Sequence, residues 1–445
     1  MGLKTFPGGI HGDDFKRYSK NSSIEIFPLP DKIVIPLNQH IGAPSKPVVK
    51  PGDTVKTGQL ICEAGGFVSI PMHSSITGKV TKIGRFPHPA GNMQQAVEIT
   101  RTGDDDWVEL TDDPDYMSLS ETEMKDRIAD AGICGMGGAG FPTHVKLSPP
   151  PDKKIDAVII NGVECEPYLT ADYRLMLERS EDILNGLKIF MKIVKAEKGY
   201  IGIEANKPDA ISLFRNLLSK EKNIEVVGLQ LKYPQGAEKQ LIYACTKRKV
   251  PNRGGLPMDV GVIVQNVGTA VASYEAVRYK KPLIERVITV TGKIVKNPKN
   301  LQARIGTLFH ELLDYCGGTT EEIAKIISGG PMMGFAISTL NTPMAKGSSG
   351  LIIFDQQEAK KRQEQTCIRC CSCVDVCPMY LMPSLIATSV KNEDWETARK
   401  AGAVDCIKCG CCAYVCPSHI KLIQWIDIGK NKISEIDRQK KEKEA

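Results

Sequence analysis

The sequence predicts a chain of several domains that combine α/β and α+β organisation. Its 445 residues exceed what one compact core usually holds, and 42% hydrophobic and 25% charged residues are ordinary for folded proteins. Short β-branched runs come first, alternating strand and helix patterns follow, and ten of the fifteen cysteines lie between Cys367 and Cys416. These patterns predict domains at residues 1–110, 120–282, 283–338 and 355–428, followed by a charged tail at 429–445.

Composition and charge exclude several classes of function. The net charge of +6 comes from segments of mixed sign, so a nucleic-acid partner is not expected. No apolar run reaches the ~18 residues that suggest a membrane span, and the N-terminus lacks the apolar core of a signal peptide. Because the thiols of a chain that is not exported stay reduced, the fifteen cysteines indicate metal ligation or redox chemistry rather than disulfides.

The first domain is predicted to be all β. From about Ile24 to Ile99, β-branched runs alternate with turn dipeptides, and the halves V-x-P-G-D-x-V-x-x-G-Q and S-x-I-x-G-x-V resemble lipoyl and biotinyl carrier domains. Those carriers present a modified lysine, yet no lysine occurs between Ile61 and Gly78. We therefore expect a barrel-sandwich hybrid without the prosthetic group.

The middle of the chain predicts two further domains. After a polar linker at about 102–119, a Ser-capped helix pattern precedes alternating strands and helices, including one helix through YRLMLERSEDILNGLKIFMKIV, to about Lys281. A shorter α+β module then contains ERVITVTGKIV and one helix, IGTLFHELLDYC. NTPMAKGSSG is interpreted as a linker, and the tail beyond Ile428 as a solvated, frayed helix with few apolar anchors.

Two cysteine-rich motifs can be compared within the chain itself. CIRCCSCVDVCP and CIKCGCCAYVCP share cysteine at places one, four, seven and eleven and proline at twelve, which leaves Cys371 and Cys411 as surplus thiols. The shared pattern is that of bacterial ferredoxins, in which three close thiolates bind one [4Fe-4S] cluster and the fourth binds the other. Zinc is the alternative, but zinc motifs usually separate their C-x2-C pairs more widely. The predicted ligand sets are Cys367, Cys370, Cys373 and Cys416 for one cluster, and Cys377, Cys406, Cys409 and Cys412 for the other.

A glycine-rich stretch is the candidate donor site for such a pair of clusters. GICGMGGAGFPTHVKL contains G-x-G-x-x-G, but a helix pattern precedes it and Phe-Pro follows, unlike a dinucleotide fingerprint, and it lacks the G-K-[ST] of a P-loop. Its residues alone fit either a backbone anion cradle near Lys146 or a structural glycine turn. The next strand pattern ends in NGVECEPYLTADYR, whose polar side chains either line a ligand site at the strand's carboxyl end or are solvated loop residues.

Longer motifs carry a resemblance to known families. GMGGAGFPTHVK followed by N-G-V-E-C-E-P, with Q-G-A-E-K-Q-L and Q-N-V-G-T further on, resembles the flavin-binding subunit of respiratory NADH dehydrogenase and its relatives among NAD-linked hydrogenases. Two departures are visible: Met136 stands where that family usually has arginine, and its paired carboxylates are reduced to Glu238. Two ferredoxin motifs also replace that family's single-cluster domain.

The complete order of segments resembles a second family. A non-acylated barrel-sandwich hybrid, a flavin domain, a β-grasp-like (SLBB) module and twin ferredoxin motifs are similar in order to the C subunits of Rnf ion-translocating ferredoxin:NAD oxidoreductases. The segments F-P-G-G-I-H-G and V-I-P-L-N-Q-H-I-G-A-P are similar to the start of those proteins.

This resemblance implies cofactors, partners and site residues. We expect FMN, NAD(H) as substrate and two [4Fe-4S] clusters, with hydride exchanged at the flavin, single electrons passed through the clusters and no catalytic side chain. Other Rnf-type membrane and iron-sulfur subunits would be partners, ferredoxin would be an indirect one, and the chain would lie peripherally on the cytoplasmic face of the membrane. The implied FMN and NADH residues are Gly135, Gly137, Gly138, Gly140, Phe141, Lys146, Asn161, Glu164, Glu166, Glu238, Asn266 and Thr269.

More specific roles follow from the same resemblance. Phe141 would stack on NADH, Glu166 would bound the nicotinamide pocket, and Asn266 with Thr269 would receive the FMN phosphate at a helix start. Two alternatives remain: a soluble flavin and iron-sulfur reductase of the cobalamin-reductase type, whose domain order differs, and a non-catalytic electron-wire subunit.

Overall fold

The N-terminal domain is a sandwich of two antiparallel sheets. The computed structural model describes residues 2–444. One sheet has the order β2-β8-β7-β4 and the other β3-β5-β6, and buried side chains such as Ile33, Val80 and Ile99 fill the space between them. The strands are β1 (Ile24–Ile26), β2 (Lys32–Pro36), β3 (Lys46–Pro47), β4 (Thr54–Val55), β5 (Leu60–Glu63), β6 (Met72–His73), β7 (Gly78–Pro87) and β8 (Met93–Arg101).

The second domain is a parallel sheet covered by helices on both faces. Its strand order is β11-β10-β9-β12, and the nearly complete burial of β9 and β12 agrees with helices covering both faces. The elements are α1 (Glu121–Asp130), α2 (Thr143–Lys146), β9 (Ala157–Gly162), α3 (Ala171–Glu178), α4 (Ser180–Val194), β10 (Lys198–Glu204), α5 (Pro208–Leu217), β11 (Ile224–Leu229), α6 (Glu238–Thr246), β12 (Val262–Asn266) and α7 (Val267–Tyr279).

Local signals explain where two of these helices begin and end. Ser120 caps α1 in a reciprocal capping box with Glu123, as the Ser-capped pattern predicts. The single helix predicted through residues 173–194 is instead broken at Arg179, whose backbone leaves the helical region (φ −132°). Arg179 bonds Asp182 and Glu275 there, so the break is fixed by side-chain contacts that are not evident from helical periodicity.

The third domain is built on a sheet of order β1-β14-β13-β17-β15-β16. Its elements are β13 (Glu285–Thr291), β14 (Lys299–Arg304), α8 (Phe309–Tyr315), β15 (Lys325–Ser328), β16 (Phe335–Ile337) and β17 (Gly350–Phe354). Because β17 lies between β13 and β15, this sheet extends past residue 338, where sequence analysis ended the domain, and the expected linker leads into a central strand. Strand β1, from the N-terminal part of the chain, completes one edge.

The C-terminal domain consists of four short helices around the cysteine motifs and one long helix after them. They are α9 (Ser372–Asp375), α10 (Pro383–Lys391), α11 (Trp395–Lys400), α12 (Cys411–Tyr414) and α13 (Leu422–Glu444). The expected frayed tail is instead continuous with α13, where Ile433 is fully buried and Arg399 forms an ion pair with Asp437 at 2.6 Å. Within residues 2–444, every helix is too short or too polar to cross a lipid bilayer.

Candidate electron-transfer site

The glycine-rich stretch forms a closed loop between α1 and α2. The N–H of Gly135 donates to the carbonyl of Phe141 at 2.9 Å, which draws the two ends of the loop together. Gly140 has φ +68°, a conformation that side chains with Cβ rarely adopt. Gly137 and Gly138 are exposed at the tip, whereas Phe141 is half-buried. The loop therefore presents backbone to its surroundings.

The start of α7 holds the tip of this loop in place. Thr269 Oγ1 accepts a hydrogen bond from the Met136 N–H at 3.0 Å. Asn266 caps α7 by accepting from the Gly268 N–H at 2.8 Å. A Cβ on Gly137 would lie 2.7 Å from Asn266 Nδ2, so only glycine fits without displacement. Asn266 and Thr269, expected to receive phosphate, thus also position the glycine loop.

Glu164, on the loop after β9, is linked through Asp172 at the start of α3 to Asn266, the cap of α7. Asn266 Nδ2 donates to Asp172 Oδ2 at 2.7 Å, and the Asp172 N–H donates to Glu164 Oε1 at 2.7 Å. Glu164 Oε2 is buried without a hydrogen-bond partner among the described residues, 3.7 Å from Lys16 Nζ. Asn161 is held by Gly236, whose carbonyl accepts from its Nδ2 at 2.8 Å. Glu164 Oε2 is therefore a buried acceptor that faces Lys16 but makes no hydrogen bond among the described residues.

Two acidic side chains of the site have strongly perturbed pKa values. Burial raises the pKa of Glu166 to about 7, although the Met332 N–H donates to Glu166 Oε2 at 3.0 Å. Burial, together with the neighbouring Glu164, raises the pKa of Asp172 to about 7. Perturbed carboxyl groups near a strand's carboxyl end are typical of ligand sites, although structural networks produce them too.

Lys146 and Glu238 lie beside each other rather than apart. Lys146 Nζ is 2.6 Å from Glu238 Oε1, and the pair is partly exposed, with Lys146 at the end of α2 and Glu238 at the start of α6. In this arrangement the lysine charge is shared with one carboxylate. An anion bound at the loop would have to compete with Glu238 for Lys146.

Four polar residues of this region were not predicted from the sequence: Asp172, described above, and Lys16, Lys207 and Gln235. Lys16 is buried and donates to the carbonyl of Glu166 at 3.1 Å, and Lys207 donates to the carbonyl of Val163 at 2.7 Å. Both atoms of the Gln235 side-chain amide are buried without a partner among the described residues. Gln235 opens the quoted Q-G-A-E-K-Q-L segment, so a signal existed, whereas nothing near Lys16 or Lys207 indicated a long-range contact.

One predicted set of cysteines is gathered in the interior of the C-terminal domain. Cys377, Cys406, Cys409 and Cys412 are all buried. Burial raises the pKa of the Cys377, Cys406 and Cys412 thiols, and the neighbouring Cys409 raises them further. The four thiols are therefore close enough to interact electrostatically. A bound iron cluster would relieve this cost because it binds the thiolate form.

The other predicted set lies nearer the surface. Cys367 and Cys370 are exposed, Cys416 is half-buried and Cys373 is buried. Across residues 2–444, no three His, Cys, Asp or Glu side chains meet in the arrangement that holds one metal ion. The surplus thiol Cys371 faces the carbonyl of Arg369 at 3.7 Å.

The buried set adjoins the loop after β9, residues 163–170, here called the ligand loop, through an apolar junction. Cys409 and Cys411 pack with Ile10 and Tyr233, and Cys165 of the loop after β9 lies against the same cluster of side chains. Cys411 Sγ approaches the Tyr233 carbonyl at 3.8 Å. Tyr233 also lies next to Glu166, with 3.5 Å between its hydroxyl and Glu166 Oε1. The cysteine motif and the candidate ligand loop are therefore adjacent in space.

Profiles of four protein families match consecutive segments of the chain. The RnfC barrel-sandwich hybrid domain matches residues 4–104 and the Nuo51 FMN-binding domain residues 128–275. The SLBB domain matches residues 287–336 and the 4Fe-4S dicluster domain residues 359–421. The domain order predicted from the sequence is confirmed by these matches.

Two curated relatives are similar to most of the chain. The C subunit of the proton-translocating ferredoxin:NAD(+) oxidoreductase complex of Clostridium ljungdahlii is 53% identical over 386 residues, 86% of this chain and 84% of its own. The Na(+)-translocating counterpart from Acetobacterium woodii is 46% identical over 403 residues, 88% of each chain. Among solved structures, a chain of an NAD+-reducing [NiFe]-hydrogenase aligns with a TM-score of 0.49 at 19% identity, over 64% of this chain and 54% of its own.

Proposed function

This chain belongs to the family of C subunits of ion-translocating ferredoxin:NAD(+) oxidoreductase complexes, and we propose that it exchanges hydride with NAD(H) and single electrons with the other subunits. Bound FMN supplies the conversion between two-electron and one-electron transfer, and two [4Fe-4S] clusters carry the single electrons. The matched FMN-binding and dicluster domains support both cofactors.

The observation that carries this proposal is the junction between the two cofactor domains. Cys409, a proposed cluster ligand, packs in one apolar group with Tyr233, Cys165 and Ile10. Burial in apolar surroundings excludes water from this contact. A scaffold protein without electron transfer would not require its cysteine motif to lie against the ligand loop.

The residues around the glycine loop fit a bound flavin. The exposed backbone of Gly137 and Gly138 allows close approach, and Glu164 Oε2, which faces Lys16 at 3.7 Å but makes no hydrogen bond among the described residues, offers a buried acceptor. In the proposed site Lys146 contributes positive charge, Asn161 holds the loop that carries Glu164, and Phe141 provides an aromatic face. The remaining proposed contacts are Gly135, Gly140, Glu166, Glu238, Asn266 and Thr269.

We assign the cluster nearest the flavin to Cys377, Cys406, Cys409 and Cys412. The second cluster, at Cys367, Cys370, Cys373 and Cys416, is then the exit toward a partner, because two of its ligands are exposed. Exposed basic side chains lie beside it in sequence at Lys360, Lys361, Arg362 and Arg369, and these favour a partner with an acidic surface. The proposed partners are the membrane and iron-sulfur subunits of the complex, and the proposed location is peripheral, on the cytoplasmic face of the membrane.

Anaerobically purified protein tests the function. We expect flavin absorption bands together with an iron-sulfur shoulder, about eight irons per chain, and oxidation of NADH by an artificial one-electron acceptor. Iron without flavin and without NADH oxidation would instead support an electron-wire protein.

A further inference from the structure

The N-terminal strap, residues 4–16, runs across the flavin domain before the first strand begins. Lys4 extends the sheet beside β11, where its N–H donates to the Gly228 carbonyl at 2.9 Å. Further along, the Ile10 and Tyr233 backbones exchange two hydrogen bonds at 2.8 and 2.9 Å. Lys232 Nζ donates to the Phe6 carbonyl at 2.8 Å and lies 4.6 Å from the centre of its ring.

The same strap contacts the C-terminal domain. The Gly9 N–H donates to the Val376 carbonyl at 2.8 Å. Val376 precedes Cys377, the proposed ligand that reaches the flavin-side cluster from the other motif. The Tyr233 carbonyl accepts from Ile10, and Cys411 Sγ also approaches it, at 3.8 Å. One short backbone segment therefore bonds to both cofactor domains at their junction.

The end of the strap is anchored in the ligand loop. Lys16 is 4% exposed and donates to the carbonyls of Glu166 and Leu169. The Tyr168 N–H donates to the Asp14 carbonyl at 2.8 Å. Because both ends of the strap are fixed on the flavin domain, the middle has little freedom to move away from Val376 and Cys377.

Two glycines are required where the strap passes between the domains. Gly8 and Gly9 have φ of +78° and +79°. A Cβ on Gly9 would lie 2.6 Å from the Tyr233 carbonyl oxygen, and one on Gly8 would lie 3.0 Å from the Cys377 carbonyl oxygen. Side chains at either place would push the backbones of the two domains apart.

From these contacts we propose that the N-terminal strap is a positioning element that holds the Cys377 side of the flavin-side cluster against the flavin domain. This inference rests on the proposed function. The junction partners of Gly9 and Ile10, Val376 and Tyr233, are not among the proposed FMN and NADH contacts, so loosening the strap there slows electron transfer between flavin and cluster and leaves hydride exchange intact.

Gly9→Ala, compared with Gly103→Ala, tests the proposal. Gly103 has φ +77° and nothing within 4 Å of its Cβ position, so both variants carry similar backbone strain while only the first meets a neighbouring backbone. We expect hydrogen–deuterium exchange to be about tenfold faster in Gly9→Ala at residues 9–10, 233 and 374–377, a loss of about 1.4 kcal/mol of local stability. Flavin and iron content should equal those of Gly103→Ala.

Two activity measurements separate the strap from the wider function. NADH-to-thio-NAD+ transhydrogenation requires only hydride exchange and should be the same in both variants, whereas bleaching of the iron-sulfur absorbance by NADH should be about tenfold slower in Gly9→Ala. Unchanged exchange at 374–377 or an unchanged bleaching rate overturns the strap proposal. Absence of transhydrogenation in the unmodified protein overturns the proposed function. In that case the exchange rates at residues 374–377 alone test whether the strap holds the two domains together.

Lys232→Met provides a second variant if Gly9→Ala does not fold. It removes the bond to the Phe6 carbonyl without backbone strain. We expect faster hydrogen exchange in the strap and slower bleaching of the iron-sulfur absorbance, both by less than in Gly9→Ala. Exchange rates at residues 5–10 equal to those of the unmodified protein would contradict the proposal.

Discussion

Charged side chains around the ligand loop are paired in ways that tie distant segments together. Lys16 lies 3.7 Å from Glu164, and Lys207 lies 3.6 Å from Glu204, with all four side chains buried. Removing one partner of such a pair leaves an uncompensated buried charge and costs more than an exposed pair would. These residues set the shape of the loop between the two cofactor domains.

Lys146→Ala should weaken FMN retention. The lysine is the proposed positive charge beside the glycine loop, and loss of a charge-assisted contact lowers affinity by about tenfold. Flavin per chain after gel filtration measures the effect, with iron per chain expected to stay constant. Lys154→Ala is the control because its side chain is 80% exposed. Equal flavin retention in the two variants would remove Lys146 from the site.

Glu166→Gln should change how stability depends on pH. Because burial raises the Glu166 pKa from 4.5 to about 7, the folded state keeps a proton that the unfolded state releases between those pH values. The free energy of unfolding therefore falls as the pH rises from about 4.5 to 7, by up to about 3 kcal/mol, and the glutamine variant avoids this loss.

Thermal midpoints of the anaerobic protein at pH 5 and pH 8 measure this effect. The stability of Glu166→Gln relative to the unmodified protein should be greater at pH 8 than at pH 5. Glu197→Gln is the control, since its side chain is 73% exposed. A Glu166→Gln difference that stays constant with pH would show that Glu166 ionises normally.

At the scale of elements, the two cysteine motifs have matching backbone turns. Helix α9 follows Cys371 at φ +62° and helix α12 follows Gly410 at φ +84°, which are the fifth places of the two motifs. Glycine adopts this conformation freely, whereas cysteine does so at a cost. The shared turn explains why Cys371 is not needed as a ligand. It occupies the left-handed position directly before α9, as Gly410 does before α12.

Single serine substitutions distinguish cluster ligands from surplus thiols. We expect Cys370→Ser to reduce iron from about eight to about four atoms per chain, because a cluster loses one of its thiolates. Cys371→Ser and Cys411→Ser should both keep about eight. Iron and acid-labile sulfide analysis of anaerobic protein provides the measurement, and the reverse ranking would overturn the ligand assignment.

Single helices and turns were easier to predict from the sequence than the distant segments that they pair with or pack against. The Ser120 cap of α1 depends on neighbouring residues, so the sequence pattern predicts it. Strand β17 pairs with β13, which lies about 60 residues earlier in the chain, and no local sequence pattern indicates that pairing. The buried Ile433 was missed because one apolar residue among charged ones does not reveal which surface it meets.

At the scale of the whole molecule, domain order was predictable and domain contact was not. Each domain carries its own motifs, so the order follows from reading along the chain. The contacts between domains depend on segments such as residues 4–16, whose hydrogen-bond partners in the other domains lie at least 150 residues away along the chain. The candidate site was therefore predicted as a set of residues, while its attachment to the cysteine motif emerged only from the fold.

This arrangement makes the molecule a connection between a ligand loop and two cysteine motifs. The buried set of cysteines lies against the flavin domain, and the other set lies nearer to solvent. This order allows electrons to pass in either direction, because the closeness of two cofactor sites is the same for the forward and the reverse transfer. The direction depends on the potentials of the partners rather than on the fold.

Rapid mixing of the anaerobic protein with NADH tests whether flavin and clusters are connected in one electron path. We expect flavin and iron-sulfur absorbance both to bleach, with electron paramagnetic resonance signals from two reduced clusters per chain. Bleaching of the flavin with the clusters left oxidised, when their measured midpoint potentials lie above that of the NAD+/NADH couple, would contradict this expectation.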